Sequence, residues 1–204
     1  MSKAKDGGAM MQGLANIQNI REYCDYVEEH LLNIEASWKT LREACKNMRF
    51  VYDDYVYHSI DHMVRTHDMS KMSAEEFIQY QRKFFPTEEY KGGVWVRKYE
   101  YIEAELMADN AAFDAEWQHH QDENPHHWQN WTKGGPYYNP YEAECHCVCM
   151  VVDWMAMGLK FGDTAEQYYE ANKNKMNLPD WAHTFLAEIF TALADAMLAA
   201  RDAE

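Results

Sequence analysis

The sequence predicts an all-α protein, a single helical domain of about six to eight helices over residues 14–204, on three observations. Apolar residues recur at steps of three and four over several long stretches. No stretch shows a sustained period of two, and capping or helix-breaking residues punctuate the periodic runs. Residues 1–13 read as a flexible tail. The 204 residues suffice for one domain with a sizeable core, and no Ser/Gly/Pro-rich linker divides them.

From about Asn16 to Met48, the residues Ile17, Ile20, Cys24, Val27, Leu31, Ile34, Trp38, Leu41 and Cys45 form one helical stripe, with His30 at its border. A second helix is expected over Asp54–Asp68, where Val56, Ile60, Met63 and His67 share a face. Ser73-Ala-Glu-Glu76 has the pattern of a capping box and opens a third helix that stops before Pro86. Lys91-Gly-Gly reads as a loop. A further helix runs from about Tyr99 to Gln121 with Phe113, Trp117 and His120 in phase, until Asn124-Pro125 interrupts it. That phase turns His120 inward and leaves His119 to one side.

Gly134-Gly-Pro and Asn139-Pro140 bracket a turn-rich connection. Cys145, Val148, Val152, Met155 and Leu159 then outline a buried helix that carries Asp153 on a face with Cys149 and Met157. Asp163-Thr-Ala-Glu166 can cap a short helix, and Trp181, Phe185, Ile189, Leu193 and Met197 mark a last one.

The formal net charge of −15 disfavours a nucleic-acid polymer as partner, because little cationic surplus exists to displace phosphate counterions. Small anions remain compatible, since a bound divalent metal reverses the local potential. No run approaches eighteen consecutive apolar residues and no signal-peptide pattern opens the chain, so a cytoplasmic protein without a membrane partner is expected. Five cysteines, three of them at 145, 147 and 149, read as reduced thiols. On a helix, Cys147 points away from Cys145 and Cys149, which disfavours a closed zinc site. The long first helix and the Ala-rich stretch 192–200 each offer a face for a homodimer.

His67-Asp68 is the most informative pair. An aspartate at a helix C-terminus meets the negative end of the macrodipole, and a cation would compensate it. An imidazole nitrogen and a carboxylate on adjacent residues can reach one ion. Their company is His30, the pairs His119-His120 and His126-His127, and Asp153. Single histidines elsewhere (His58, His62, His146 and His183) read as structural. Trp128, Trp131, Tyr137 and Tyr138 read as packing rather than as a base-stacking platform.

The order His, His-Asp, His, His, Asp on successive helices resembles the HD superfamily of all-helical, mostly metal-dependent phosphohydrolases. His67-Asp-Met-Ser-Lys71, Trp117-Gln-His-His120, Asn124-Pro-His-His-Trp128 and Val152-Asp-Trp-Met-Ala-Met157 together look like an uncharacterised HD-like family of phages and bacteria, over roughly residues 20 to 195. The resemblance implies metal ligation by His30, His67, Asp68, His120, His126, His127 and Asp153. One or two divalent ions (Mn, Mg, Co, Ni, Zn or Fe) would be held, with Asp68 able to bridge two.

Lys71 would stand beside the substrate's charged groups, although Ser70 replaces the glycine of the His-Asp-x-Gly-Lys pattern. Glu76 or Glu75, and Asp122 or Glu123, are candidates to orient an imidazole or move a proton. Asp68, Lys71 and Glu76 are therefore the expected catalytic residues. The expected activity is hydrolysis of a nucleotide, cyclic (oligo)nucleotide or other small phosphate ester, in the host cytoplasm if a phage encodes the chain. A non-enzymatic nucleotide- or partner-binding protein and a di-iron oxygenase of the HD type are the competing expectations.

Overall fold

A computed structural model of the chain describes residues 3–86, 88–91, 94–97, 103–132 and 139–202, with side chains described over 13–86, 110–132 and 139–202. The protein is all-α, with one short hairpin. Nine α-helices lie among the described residues: α1 (Lys3–Ala44), α2 (Arg49–Tyr52), α3 (Asp54–Arg65), α4 (Ala74–Phe84), α5 (Glu103–Glu123), α6 (Trp128–Trp131), α7 (Pro140–Phe161), α8 (Ala165–Asn172) and α9 (Asp180–Asp202). The number exceeds the expected six to eight because α2 and α6 are single turns, too short to show a period.

Three local expectations are corrected. Helix α1 begins at Lys3, so most of the stretch expected as a tail is helical. Its Ala, Met, Lys and Gln residues favour extension of an existing helix, which needs no new nucleus. Strands β1 (Glu88–Lys91) and β2 (Val94–Arg97) pair antiparallel, with Glu88 opposite Arg97 and Lys91 opposite Val94. Gly92-Gly93 lies outside the described residues, but a Gly-Gly pair between two short runs is a hairpin signal in its own right. Finally, α8 is capped by Thr164 rather than Asp163. Thr164 accepts from the Gln167 amide and the Gln167 side chain accepts from the Thr164 amide.

The described residues fall into two compact units, each assembled from two separate stretches of chain, which is why no linker marks them in the sequence. The first comprises residues 1–29 and 69–120. In it, Tyr23 is fully buried, stands edge-on to Phe77 at 4.8 Å between centroids, and donates its hydroxyl to the Lys71 carbonyl at 2.9 Å. Phe113 packs edge to face on Tyr80 and Phe84 at 5.3 and 5.5 Å, and Tyr80 and Phe84 meet tilted at 6.1 Å.

The second unit comprises residues 30–68 and 121–204. Its core joins Ile34, Trp38 and Leu41 of α1, Val56, Ile60 and Val64 of α3, Trp131, most of α7, and Ala182, Leu186, Ile189 and Phe190 of α9. Each fully buried aliphatic side chain contributes about 1.5–3 kcal/mol. The α7 helix is buried nearly all round, so it needs firm ends. Asn139 accepts from the Tyr141 amide, Pro140 sits in the first turn, and Gly162 closes the helix at φ 89°. Among the described residues α9 is the one helix long and apolar enough to cross a membrane, with a mean hydropathy of 1.3 over eighteen residues. One face of it belongs to the core, while Met197 and Leu198 are exposed.

Candidate metal centre

Helix α3 is capped at its start by Asp53, whose carboxylate accepts from the Tyr55 and Val56 amides. It ends at Arg65, three residues earlier than the periodicity predicts, so His67 and Asp68 occupy the turn that follows. The His67 amide still donates to the Val64 carbonyl at 3.3 Å. Asp68 has φ 53°, the single non-glycine residue in the left-handed region among those described. That conformation costs about 1–2 kcal/mol for an ordinary side chain, and Asp is one of the few that adopts it readily. Such strain clusters at functional sites. Both side chains are buried, with 3 % and 2 % of the residues exposed.

His30 on α1 and Asp153 on α7 meet them within the second unit. His30 Nε2 lies 3.3 Å from Asp68 Oδ2 and 3.5 Å from Asp153 Oδ1. His67 Nε2 lies 3.6 Å from Asp68 Oδ2 and 3.5 Å from Asp153 Oδ1. His126 Nε2 is 3.2 Å from the other Asp68 oxygen, and its ring stacks on His67 at 4.1 Å. Possible donor atoms of His30, His67 and Asp153 lie within 4.8 Å of one another, and so do those of Asp68, His126 and His127.

These spacings are compatible with ligation of a shared ion. Among the described residues, neither His30 Nε2 nor His67 Nε2 makes a hydrogen bond although both are buried. Metal bonds of about 2.0–2.2 Å place neighbouring donors about 3.0 Å apart in an octahedron and about 3.4 Å apart in a tetrahedron. The donor set, imidazoles with two carboxylates, is of the type that suits a first-row divalent cation.

Charge points the same way. Burial first, and then the neighbouring His67, push the His126 imidazole down to about 4 against the pull of Asp68, so it is neutral at pH 7 with a lone pair to offer. Burial works to raise the Asp153 carboxyl, but His67, His127 and His126 outweigh it and hold it below the ordinary carboxylate range. Asp68 and Asp153 place two carboxylates in one buried cluster, an arrangement that is costly without a compensating partner.

A family model matches residues 19–195. The chain belongs to the DUF5662 family. That family is described as one of unknown function. No curated protein and no solved structure is significantly similar to the chain.

The DUF5662 match takes in every residue expected to carry chemistry. His30, His67, Asp68, His126, His127 and Asp153 are brought together in the second unit. Sequence periodicity leaves His126 and His127 undivided, and tertiary packing distinguishes them. His126 is buried, whereas His127 is half-buried at the N-cap of α6. The loop holding them is pinned by the Trp131 indole, which donates to the Pro125 carbonyl at 2.6 Å, and by Asn130, whose amide donates to the Gln121 and Asp122 carbonyls. Sequence reasoning misses Asn130, whose only signal is its place six residues after a helix-breaking Asn-Pro.

Of the remaining expected residues, Lys71, Glu75, Glu76 and His120 belong to the first unit, and Asp122 and Glu123 to the second. His120 is fully buried and His119 exposed, as helical phase predicts. Glu76 Oε2 lies 2.8 Å from His120 Nδ1. Lys71 is buried, with its ammonium 5.9 Å above the Tyr80 ring. The cysteines are all free thiols. Burial pushes Cys45 and Cys145 up to about 11 and raises Cys147 and Cys149 further, which suits packing and not metal capture.

Proposed function

We propose that the protein is a metal-dependent phosphohydrolase acting on a small phosphate ester, such as a nucleotide or cyclic nucleotide. The observation that supports this reading is the convergence of His30, His67, Asp68, His126 and Asp153 at 3.2–3.6 Å in a buried cluster. The HD-like order of these residues along the chain supports it as well. A divalent ion bound there would supply Lewis acidity and lower the pKa of its bound water toward neutrality.

The chain's own residues have separate tasks. His30 and His67 would offer Nε2, and Asp153 its carboxylate, to the cation. Asp68 presents Oδ2 toward His30 and His67 and Oδ1 toward His126, so either oxygen would be available to a bound ion. Burial of the cluster would limit competition from bulk water for a bound ion. In the reaction a water oxygen bonds to phosphorus as the bond to the ester oxygen breaks, and the leaving oxygen takes up a proton.

The test is elemental analysis of protein purified without chelator or nickel affinity, for wild type and His67→Ala/Asp68→Ala. A phosphomonoesterase and phosphodiesterase panel with manganese, cobalt or magnesium follows. One to two equivalents of metal lost in the variant, with turnover of a phosphate ester by wild type, is the expected result. No metal after soaking in manganese overturns the reading. Iron with oxygen uptake replaces it with an oxygenase, and ligand binding without turnover replaces it with a binding protein.

A further inference from the structure

Trp181 is 41 % exposed, although Ala182, Leu186 and Ile189 of the same helix are fully buried. Tryptophan is well buried on average, so an open indole is informative where it lines a cavity. Trp181 does. With Met48, Arg49, Glu144, Phe185 and Glu188 it borders an open cleft of about 390 Å³ that lies within the second unit. Trp181, Phe185 and Glu188 stand at i, i+4 and i+7 on α9, so one face of that helix supplies half of the lining. Glu144 comes from the second turn of α7, and Arg49 opens α2.

The floor of the cleft is fixed before anything binds. Trp181 rests against the fully buried Trp131 at 6.1 Å between centroids, and Phe185 stands edge-on to the fully buried Phe50 at 6.0 Å. Ligand pockets hold about 300–1,000 Å³, so a cleft at the lower end of that range suits a compact ligand.

Charge selects the sign of that ligand. The Arg49 guanidinium donates to the Glu144 carboxylate, and the nearby Asp53 adds to the pull on it. Arg49 is thereby committed and its charge offset, which leaves the exposed carboxylate of Glu188 to set the sign of the lining. The chain as a whole carries a formal charge of −15, which draws cations and repels anions. An indole face attracts a cation through its quadrupole. A primary ammonium is a compact, strongly hydrated charge, whereas a quaternary one presents methyl groups that Trp181, Phe185 and Met48 can cover.

We propose that the cleft bordered by Trp181, Phe185 and Glu188 binds a small quaternary ammonium ion, with the Trp181 indole as its platform and Glu188 as its counter-charge. The inference does not rest on the metal-dependent reading above and needs no turnover.

The experiment titrates the 15N-labelled full chain with tetramethylammonium chloride, following the backbone amides of Phe185 and Glu188 by NMR. tert-Butanol, neutral and of similar shape, and benzoate, an anion, are titrated in parallel. A saturable shift with tetramethylammonium, at lower concentration than with either of the others, is the expected result. Trp181→Leu should weaken binding about 2–5-fold. Glu188→Gln should weaken it by a similar factor at low salt, and that loss should shrink as salt is added.

tert-Butanol bound as tightly would show a merely apolar cleft, and benzoate bound more tightly would show an anion site on Arg49. A shift that never saturates would show no site. Wild-type affinity in both variants would place the ion elsewhere. Each of these four results overturns the inference. Should Trp181→Leu fail to fold for want of its contact with Trp131, Trp181→Phe and the exposed Glu188→Gln carry the same comparison, with a smaller loss expected from the phenyl ring.

Discussion

Asp68→Asn isolates the charge of the candidate centre from its shape. Asn tolerates the left-handed φ of 53° as well as Asp does, so the backbone at this position is not newly strained. What changes is one of the two buried carboxylates and an oxygen lying 3.3 Å from His30 Nε2. A ligand present at one hundred times its dissociation constant stabilises the folded state by about 2.7 kcal/mol. For a chain of this length 1 kcal/mol corresponds to about 2–4 °C, so saturating Mn2+ should raise the wild-type melting temperature by about 5–11 °C. If the substitution weakens binding about 100-fold, the same Mn2+ concentration contributes about 0.4 kcal/mol, or about 1–2 °C. Differential scanning fluorimetry with and without Mn2+, after chelator treatment, measures both shifts. Asp195→Asn, on the exposed part of α9, serves as the control and should keep the full shift. A wild-type-sized shift in Asp68→Asn would refute the assignment of that carboxylate, and no shift in wild type would refute the centre.

Acid should destabilise the metal-free protein from pH 6.5 downward. The His126 pKa falls from 6.5 in the unfolded chain to about 4 when folded, so between those values the unfolded state binds the extra proton and stability rises with pH. The effect of this group amounts to about 3 kcal/mol at most. Urea midpoints of chelated wild type and His126→Gln at pH 7 and pH 5 check it, and an equal loss in both proteins would rule it out. Gly158→Ala should cost more than Gly162→Ala in chemical denaturation. A Cβ at 158 would meet the Asp163 carbonyl oxygen at 2.2 Å, costing about 1–3 kcal/mol or more, whereas at 162 the space is open and only the positive φ is penalised, by about 1–2 kcal/mol. Thiol labelling of the native protein should reach Cys24 first and leave Cys45, Cys145, Cys147 and Cys149 protected until unfolding; fast labelling of any of these four would contradict their burial.

The sequence by itself determined the helices with a long apolar stripe. In α3, α4, α7 and α9 the three-and-four spacing reports burial directly, because a helix repeats its faces every 3.6 residues whatever packs against it. The same rule turns His120 inward and His119 outward with no reference to what surrounds α5. Order along the chain, with the resemblance it carries, singles out His30, His67, Asp68 and Asp153 as candidates.

Tertiary structure alone decided the rest. The loop from Asn124 to His127 has no period, so only packing around Trp131 and Asn130 buries His126 and leaves His127 half-exposed. The β1–β2 hairpin and the one-turn helices α2 and α6 are too short for a pattern to build up. Glu76 matches a local capping signal and yet its carboxylate meets an imidazole 44 residues away in the chain. A local rule counts only neighbours in sequence. The free energy of a buried carboxylate depends on which donor reaches it first in space.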